Sequence, residues 1–163
     1  TNEFKFNFNS PHITASENTF DNIRIAIDNK NPLYNAYIEL DSIRTKFYKI
    51  SDFSLINITS KDTLFFRTEF KGGAKGEDTF NLDLYHTINK ENKNVVGFSK
   101  SEIKLRNDIC YLNELNLPSN RLIFDKELKE FQLDNFVLSN KEQEIKLNGI
   151  VKGASYKKMN LNF

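Results

Sequence analysis

The feature that most constrains the fold is a strand pattern that occurs twice, about 80 residues apart. The chain reads YKISDFSLINITSKDTLFFRTEFKGG from Tyr48 and FQLDNFVLSNKEQEIKLNGIVKG from Phe131, with a two-residue length difference in the turn. The matched positions are Phe53 with Phe136, Leu55 with Leu138, Leu64 with Ile145, Phe66 with Leu147, Phe70 with Val151 and Gly72 with Gly153. Recurrence of one unit of size, polarity and turn placement predicts a strand-repeat architecture.

Alternation of apolar and polar residues extends this reading to almost the whole chain. Phe4, Phe6 and Phe8 share one parity, and so does every second residue from Phe80 to Ile88, namely Phe80, Leu82, Leu84, His86 and Ile88. Such alternation predicts antiparallel strands with one apolar face. The predicted strands cover 4–8, 23–27, 34–40, 43–48, 50–59, 63–71, 80–88, 95–98, 102–105, 110–113, 121–125, 131–139, 144–151 and 159–163. A short helix capped by Asp125 is the alternative for the segment that leads to Phe131.

Composition fits a single β domain and excludes some partners. The chain of 163 residues carries 15 Phe and no Trp, and Phe favours pleated, half-buried surfaces. Its formal net charge is +1, and no basic cluster could follow a phosphate backbone, so we expect no nucleic-acid partner. No stretch is long and apolar enough to span a membrane as a helix, and residues 1–163 contain no basic-then-apolar leader. We therefore expect any membrane anchor to lie outside this segment.

Residues suited to catalysis or metal binding are few. His86 lies on the apolar parity of its strand, where we expect a hydrogen-bonded core or rim residue. His12 is assigned to a loop with no carboxylate nearby, and Cys110, the only cysteine, to a small buried position. The loop 72–76 is glycine-rich, but a strand follows it and a phosphate cradle needs a helix there. The sequence therefore predicts no enzyme activity, no metal site and no cofactor.

The apolar face is the remaining candidate site. We expect one continuous surface made by Phe66, Phe70, Phe80, Leu82, Leu84, Phe98, Ile145, Leu147 and Val151, with His86 near its rim. Such a surface must be covered, either by a second sheet as in a sandwich or by another apolar partner in an open trough. Burial stabilises both arrangements at about 25 cal/mol per Å² of apolar area, so the pattern alone leaves both open.

Several phrases in order resemble one protein family. These are SKDTLFFRTEFKGGAKGEDTFNLDLYHTIN from Ser60, then VVGFSKSEI, RLIFDKELKEFQLDNFVLSN, EIKLNGIVKG and SYKKMNLNF. They resemble the TamB family, the translocation and assembly module proteins of Gram-negative bacteria, over residues 40–163. Residues 1–39 share only the alternation, and the segment from Arg106 to Ser119 departs from the family's pattern.

The resemblance implies a fold, a location and partners. TamB-like proteins are long, anchored in the inner membrane, and built of strands that form a U-shaped β-groove, or β-taco, across the periplasm. They are similar to AsmA-like and bridge-like lipid transfer proteins. Residues 1–163 would then form a single groove segment that shields phospholipid acyl chains and needs no catalytic residue. The alternatives are assembly of outer-membrane β-barrels with an Omp85-type (TamA-like) barrel partner, or an ordinary β-sandwich binding module.

Overall fold

The computed structural model describes residues 2–73 and 75–152 and, for the backbone alone, residues 156–162. This part of the chain contains thirteen strands and no helix, so the predicted all-β class is confirmed. The strands are β1 Lys5–Ala15, β2 Asn18–Asp28, β3 Ala36–Arg44, β4 Lys49–Ser60, β5 Thr63–Gly72, β6 Asp78–Ile88, β7 Asn94–Phe98, β8 Ser101–Leu105, β9 Asp108–Leu112, β10 Arg121–Phe124, β11 Glu130–Ser139, β12 Glu144–Lys152 and β13 Tyr156–Asn162.

All thirteen strands belong to one antiparallel sheet. Strands β1 to β7 follow one another as hairpins, and β10 to β13 continue the sheet beyond β7. Strands β7 and β8 pair with different halves of β6, and strands β10 and β9 pair with different halves of β11. Each of these two pairs is therefore one long strand with an interruption in the middle, and the sheet is in effect a single meander.

Two predicted elements differ from the structure. The separate strand at 43–48 is wrong, because β3 runs on to Arg44 and a turn follows, in which Thr45 N–H donates to Tyr48 O over 3.0 Å. The helical alternative after Asp125 does not form. The Asp125 carboxylate accepts the N–H groups of Lys129 and Glu130 at 2.7 and 2.9 Å, which closes a capped turn directly before β11.

Bulges cross the sheet at the middle of several strands. Asn22 in β2, Asp52 in β4 and Asn135 in β11 have φ values of 49°, 52° and 47°, a left-handed conformation that Asn and Asp tolerate better than other non-glycine residues. The register shifts at Asp52 and at Asn135. Apolar residues on either side of these bulges are three apart, as in Phe20 and Ile23, Ile50 and Phe53, and Leu133 and Phe136. Leu40 and Ile43 have the same spacing in β3, between the bulged strands β2 and β4. Each bulge thus keeps both halves of its strand apolar on the same face.

The two copies of the repeat share their faces and their first-strand bulge, but not their hairpin register. Leu55 pairs with Thr68, whereas its counterpart Leu138 pairs with Ile145, the counterpart of Leu64. The pairing of the second copy is therefore displaced by four residues. An even displacement leaves every side chain on its original face, since side chains alternate with a period of two. The match of Gly72 with Gly153 lies outside the described residues.

The sheet leaves more surface exposed than a compact domain does. The chain has an accessible surface of 11435 Å². A compact monomer of 19.0 kDa is expected to expose about 8,400 Å². The chain thus forms one broad layer and differs from the two packed sheets of a sandwich.

Candidate functional site: the apolar face of the sheet

The pairing register places all nine predicted surface residues on one face of the sheet. Phe66 pairs with Leu84, which pairs with Phe98, and Phe70 pairs with Phe80. Directly paired residues point to the same side, and residues two apart in a regular strand do so as well. The remaining four members are Leu82, Ile145, Leu147 and Val151. We call this side of the sheet the apolar face.

The same face continues across the strands that the nine residues do not include. The short strands β8 and β9 add Ile103, Cys110 and Leu112, and further large side chains come from β1 to β5, β7, β10 and β11. They are Phe6, Phe8, Ile13, Phe20, Ile23, Ile25, Ile27, Ile38, Leu40, Ile43, Ile50, Phe53, Leu55, Leu64, Val96, Leu122, Phe124, Phe131, Leu133, Phe136 and Leu138. The apolar face is therefore unbroken from one side of the sheet to the other.

Aromatic rings pack against one another along this surface, some stacked and some edge to face. The rings of Phe70 and Phe80 are stacked with centroids 4.5 Å apart, and Phe53 lies 6.1 Å from Phe70. Phe98 and Phe136 meet at 5.7 Å with perpendicular rings. That last contact crosses the interruption between β9 and β10, so aromatic packing keeps the face continuous where the ladder is broken. Such pairs add about 0.5–1.5 kcal/mol each beyond their area burial.

Most side chains of the apolar face are only half-buried. Among the described apolar residues of this face, only Ile23, Leu40 and Leu112 are as buried as ordinary core residues, each at 7% exposure. Phe6 and Phe8 at the β1 end remain 45% and 36% exposed. A dry sandwich core would bury the central residues of a sheet this wide almost completely. The apolar face therefore leaves apolar side-chain area exposed that no other described part of the chain covers.

The opposite side, which we call the polar face, carries cross-strand ion pairs. Arg67 and Asp83 are 3.0 Å apart and Arg121 and Asp134 are 2.8 Å apart, both as directly paired residues of neighbouring strands. The hydrogen bond from Arg67 to Asp83 raises the pKa of the guanidinium. Further pairs join Lys5 to Asp28, Arg24 to Glu39, Arg44 to Asp21 and Lys152 to Glu130. The ion pairs are thus gathered on one face, which also carries apolar side chains such as Phe65 and Val95, while the other face is apolar almost throughout.

His86 lies on the apolar face near the end of β6, as predicted. It pairs with Leu64 on one side and with Val96 on the other, and its ring Nε2 lies 3.0 Å from Asn94 Oδ1. The side chain is half-buried. A hydrogen-bonded imidazole with apolar neighbours on both strands fits the expected rim position.

The loop assignment of His12 is wrong. Pro11 suggested a loop, but both residues belong to β1, an outer strand in which a missing N–H is tolerated. His12 pairs with Asp21, and Nδ1 lies 2.7 Å from Asp21 Oδ1. Its Nε2 lies 2.9 Å from Thr14 Oγ1. A carboxylate is therefore next to His12, contrary to the sequence expectation.

Thr14, His12 and Asp21 thus contact one another in the order hydroxyl, imidazole and carboxylate, which is the order found in the catalytic triads of nucleophilic hydrolases. Here the carboxylate has other partners as well, because Asp21 Oδ2 accepts from Ser42 Oγ at 2.5 Å and lies 3.0 Å from Arg44. The hydrogen bonds from Ser42 and His12 lower the pKa of Asp21. All of these groups lie on the polar face, where the cluster joins β1, β2 and β3, and we interpret it as a structural cross-strand network.

The other chemical candidates resolve into structural roles. Cys110 is half-buried on the apolar face, paired with Ile103. Gly73 and Gly76 have φ values of 87° and 69° in the turn before β6, and a strand follows instead of a helix, so the geometry of a phosphate cradle is not present there. Within residues 2–73 and 75–152, no three His, Cys, Asp or Glu residues converge in a geometry suited to a metal ion.

Comparison with protein-family models, with curated proteins and with solved structures returned no match to the chain. None of the described residues forms a helix long and apolar enough to cross a membrane. What the structure defines is a class: a broad antiparallel sheet with one apolar face and an opposite face that carries the cross-strand ion pairs. A spacing of three between apolar residues, with Asn or Asp between them, is the sequence signal by which the extent of the apolar face could have been found.

Proposed function

We propose that this chain is a segment of a TamB-like β-groove, and that its apolar face conducts phospholipid between the inner and outer membranes in outer-membrane biogenesis. The observation that carries the proposal is the half-buried apolar face, which runs without interruption across the sheet while ion pairs occupy the other side. An apolar surface of this extent needs a cover, since exposed apolar patches above a few hundred Å² mark binding sites.

Acyl chains are the cover that suits this surface. They gain the same burial energy as protein side chains, about 25 cal/mol per Å², and they require no directional partner. The apolar face offers few directional groups, and they include His86 and Thr68. Thr68 already donates to Ser54 O at 2.9 Å. A lipid could therefore slide along the face without exchanging hydrogen bonds, which is what passive conduction requires.

Photo-crosslinking with neighbouring positions on opposite faces tests the proposal. A benzophenone amino acid is placed at Leu84 or Leu147 on the apolar face, or at Asp83 or Lys146 on the polar face, and the protein is exposed to phosphatidylethanolamine vesicles. We expect lipid adducts at positions 84 and 147 and a background signal at 83 and 146. Equal labelling on both faces, or no adduct at either apolar position, would contradict a lipid-bearing face.

Substitution by Asp distinguishes a lipid surface from a closed core. In a closed core, Leu84→Asp or Leu147→Asp would bury an unpaired charge and cost several kcal/mol, so that the protein would unfold. On a surface that water can reach, the variants should keep their β circular dichroism and lose the lipid adduct. Asp83→Asn, which changes charge on the polar face only, serves as the matched control and should retain the adduct.

The outer edge of β1 offers a test of the barrel-assembly alternative. Strand β1 has β2 as its only partner within the described residues, so a further strand could add to its outer edge on either side of Pro11, which has no N–H to donate. A benzophenone at Asn7 that crosslinks an unfolded outer-membrane barrel protein, while Leu84 captures no lipid, would favour assembly over conduction.

A further inference from the structure

A second site lies on the polar face, at the point where the sheet is interrupted. The segment 113–120 leaves the ladder after β9 and returns at β10, and it encloses a cavity of about 400 Å³ against the hairpin of β11 and β12. Val137, Ser139 and Lys146 contribute to its wall. Val137 pairs with Lys146, and the register places both on the face opposite to Leu147. The cavity is therefore separate from the apolar face.

The loop that forms the cavity is held in a fixed shape. Asn113 is 4% exposed, and its Nδ2 donates to Phe98 O at 2.6 Å and to Leu117 O at 2.8 Å. Its Oδ1 accepts from Leu117 N–H at 2.7 Å. Asn116 Oδ1 also accepts the N–H of Lys100 at 3.1 Å. A loop with its amide bonds tied to the sheet in this way presents its remaining side chains at defined positions.

Two leucines of this loop project into solvent. Leu115 is 77% exposed and Leu117 is 49% exposed, and both line the cavity. A rigid loop that holds aliphatic side chains in water leaves apolar area whose burial by a partner would be favourable. The pair provides an apolar anchor point at the mouth of a cavity whose volume is in the range typical of binding sites.

The charge around the cavity selects the partner. The residues that line the cavity include three carboxylates, Glu114, Glu142 and Glu144, and a single cation, Lys146. Lys146 Nζ lies 2.7 Å from Glu144 Oε1, so that pair is already neutralised. Glu114 accepts only a neutral hydrogen bond, from Ser139 Oγ at 3.1 Å. Two carboxylates beside exposed leucines suit a positively charged group next to an aliphatic side chain, and they repel anionic lipid head groups.

We propose that this cavity is a docking site for a basic peptide segment of a partner protein, in which leucine-like side chains alternate with arginine or lysine. The aliphatic side chains of the partner pack against Leu115 and Leu117, and its cations meet Glu114 and Glu142. This docking does not depend on the conduction of lipid, because the two sites lie on opposite faces of the sheet.

Fluorescence anisotropy with a labelled synthetic peptide that alternates leucine and arginine tests the docking site. We expect saturable binding to the wild-type protein, and at least tenfold weaker binding to Leu115→Ser and to Glu142→Gln. Both substituted residues are exposed, so circular dichroism should show unchanged folding. Peptides that alternate leucine with glutamate, or serine with arginine, should bind at least tenfold more weakly than the probe.

The turn before β11 supplies the matched control. Leu128 is 58% exposed there beside Glu127, so Leu128→Ser and Glu127→Gln change the same chemistry elsewhere on the protein. These variants should bind the probe peptide as the wild type does. Equal loss in the control variants, equal binding of the three peptides, or no saturable binding would each overturn the proposal. So would wild-type dimerisation that Leu115→Ser abolishes, since the cavity would then join two copies of this chain.

Discussion

The ring of Tyr85 covers Gly97, its directly paired neighbour on β7, so closely that no Cβ atom fits between them. Tyr48 covers Gly72 in the same way on the apolar face, and its hydroxyl lies 3.4 Å from Asp78 Oδ2. A glycine in a strand exposes backbone and lacks a side chain to pack, and an aromatic ring from the adjoining strand compensates for both. Each of these contacts ties the tyrosine side chain to a neighbouring strand of a sheet that has no second layer among its described residues.

The contact at Gly97 predicts coupling between the two residues. Gly97→Ala should lower the free energy of unfolding by about 1–3 kcal/mol, because the added methyl displaces the Tyr85 ring. In a Tyr85→Ala background the same substitution should be neutral or stabilise by up to about 1 kcal/mol, since alanine loses less backbone entropy than glycine. Urea unfolding of the double-mutant cycle measures the coupling. Additive effects of the two substitutions would contradict the packing described here.

The bulge at Asn135 predicts a difference between two substitutions. The residue has φ of 47°, its N–H donates to Asn148 Oδ1 at 2.7 Å, and its own Oδ1 accepts from Asn148 Nδ2 at 3.1 Å. Asn135→Gly and Asn135→Val both remove the second bond, but only valine is strained at positive φ. We expect the valine variant to be less stable than the glycine variant by about 1–2 kcal/mol. Equal stabilities in urea titrations would mean that the bulge relaxes.

Strand positions and faces followed from the sequence because the side-chain period of a strand is fixed at two. Phe66 and Leu147 could be placed on one face from the parity within each strand and from the repeat that aligns the two residues, and the four-residue displacement between the two hairpins did not disturb that assignment. The displacement itself could not be read from the repeat. It depends on how many residues the turn takes up, and the second hairpin closes after Ser139 while the first continues to Ser60.

The fixed shape of segment 113–120 and the polar cluster around His12 could not be predicted from the sequence, for other reasons. His12 was assigned to a loop because proline breaks most strands, and only the position of β1 at the side of the sheet permits Pro11 within it. The segment 113–120 reads as irregular, but the side-chain amide of Asn113 fixes its shape with one hydrogen bond to Phe98 on β7 and two to Leu117 within the segment. Side-chain contacts of this kind depend on the tertiary structure, and the alternation of residues along a strand does not predict them.

The ion pair between Lys93 and Glu130 predicts a pH dependence of stability. The two side chains are each 25% exposed and 2.9 Å apart, and the hydrogen bond between them lowers the pKa of Glu130 and raises that of Lys93. The Glu130 contribution is then complete above its ordinary pKa of 4.5 and is lost as the pH falls through the lowered value. The Lys93 contribution is complete below 10.5 and is lost as the pH rises through the raised value.

Lys93→Met should therefore reduce stability most between these two limits, and it should flatten the decline of the melting temperature on the acid side. Some acid dependence should remain, because Lys152 lies 3.5 Å from the other oxygen of Glu130. Melting temperatures of both proteins at a series of pH values from acid to neutral provide the measurement. Parallel curves for the wild type and the variant would show that the pair does not perturb the titration of Glu130.

The buried amide of Asn113 predicts how firmly the loop 113–120 is held. Asn113→Ala leaves the carbonyls of Phe98 and Leu117 and the N–H of Leu117 without their side-chain partner, and each group left buried and unsatisfied costs about 1–3 kcal/mol. We expect lower stability and much faster hydrogen exchange at the Leu117 amide. Asn116→Ala, which removes one bond to Lys100 from the same loop, is the control and should change both measurements less. If the two variants behaved alike, the shape of the loop would not depend on Asn113, and the exposed leucines would owe their positions to the sheet beneath them.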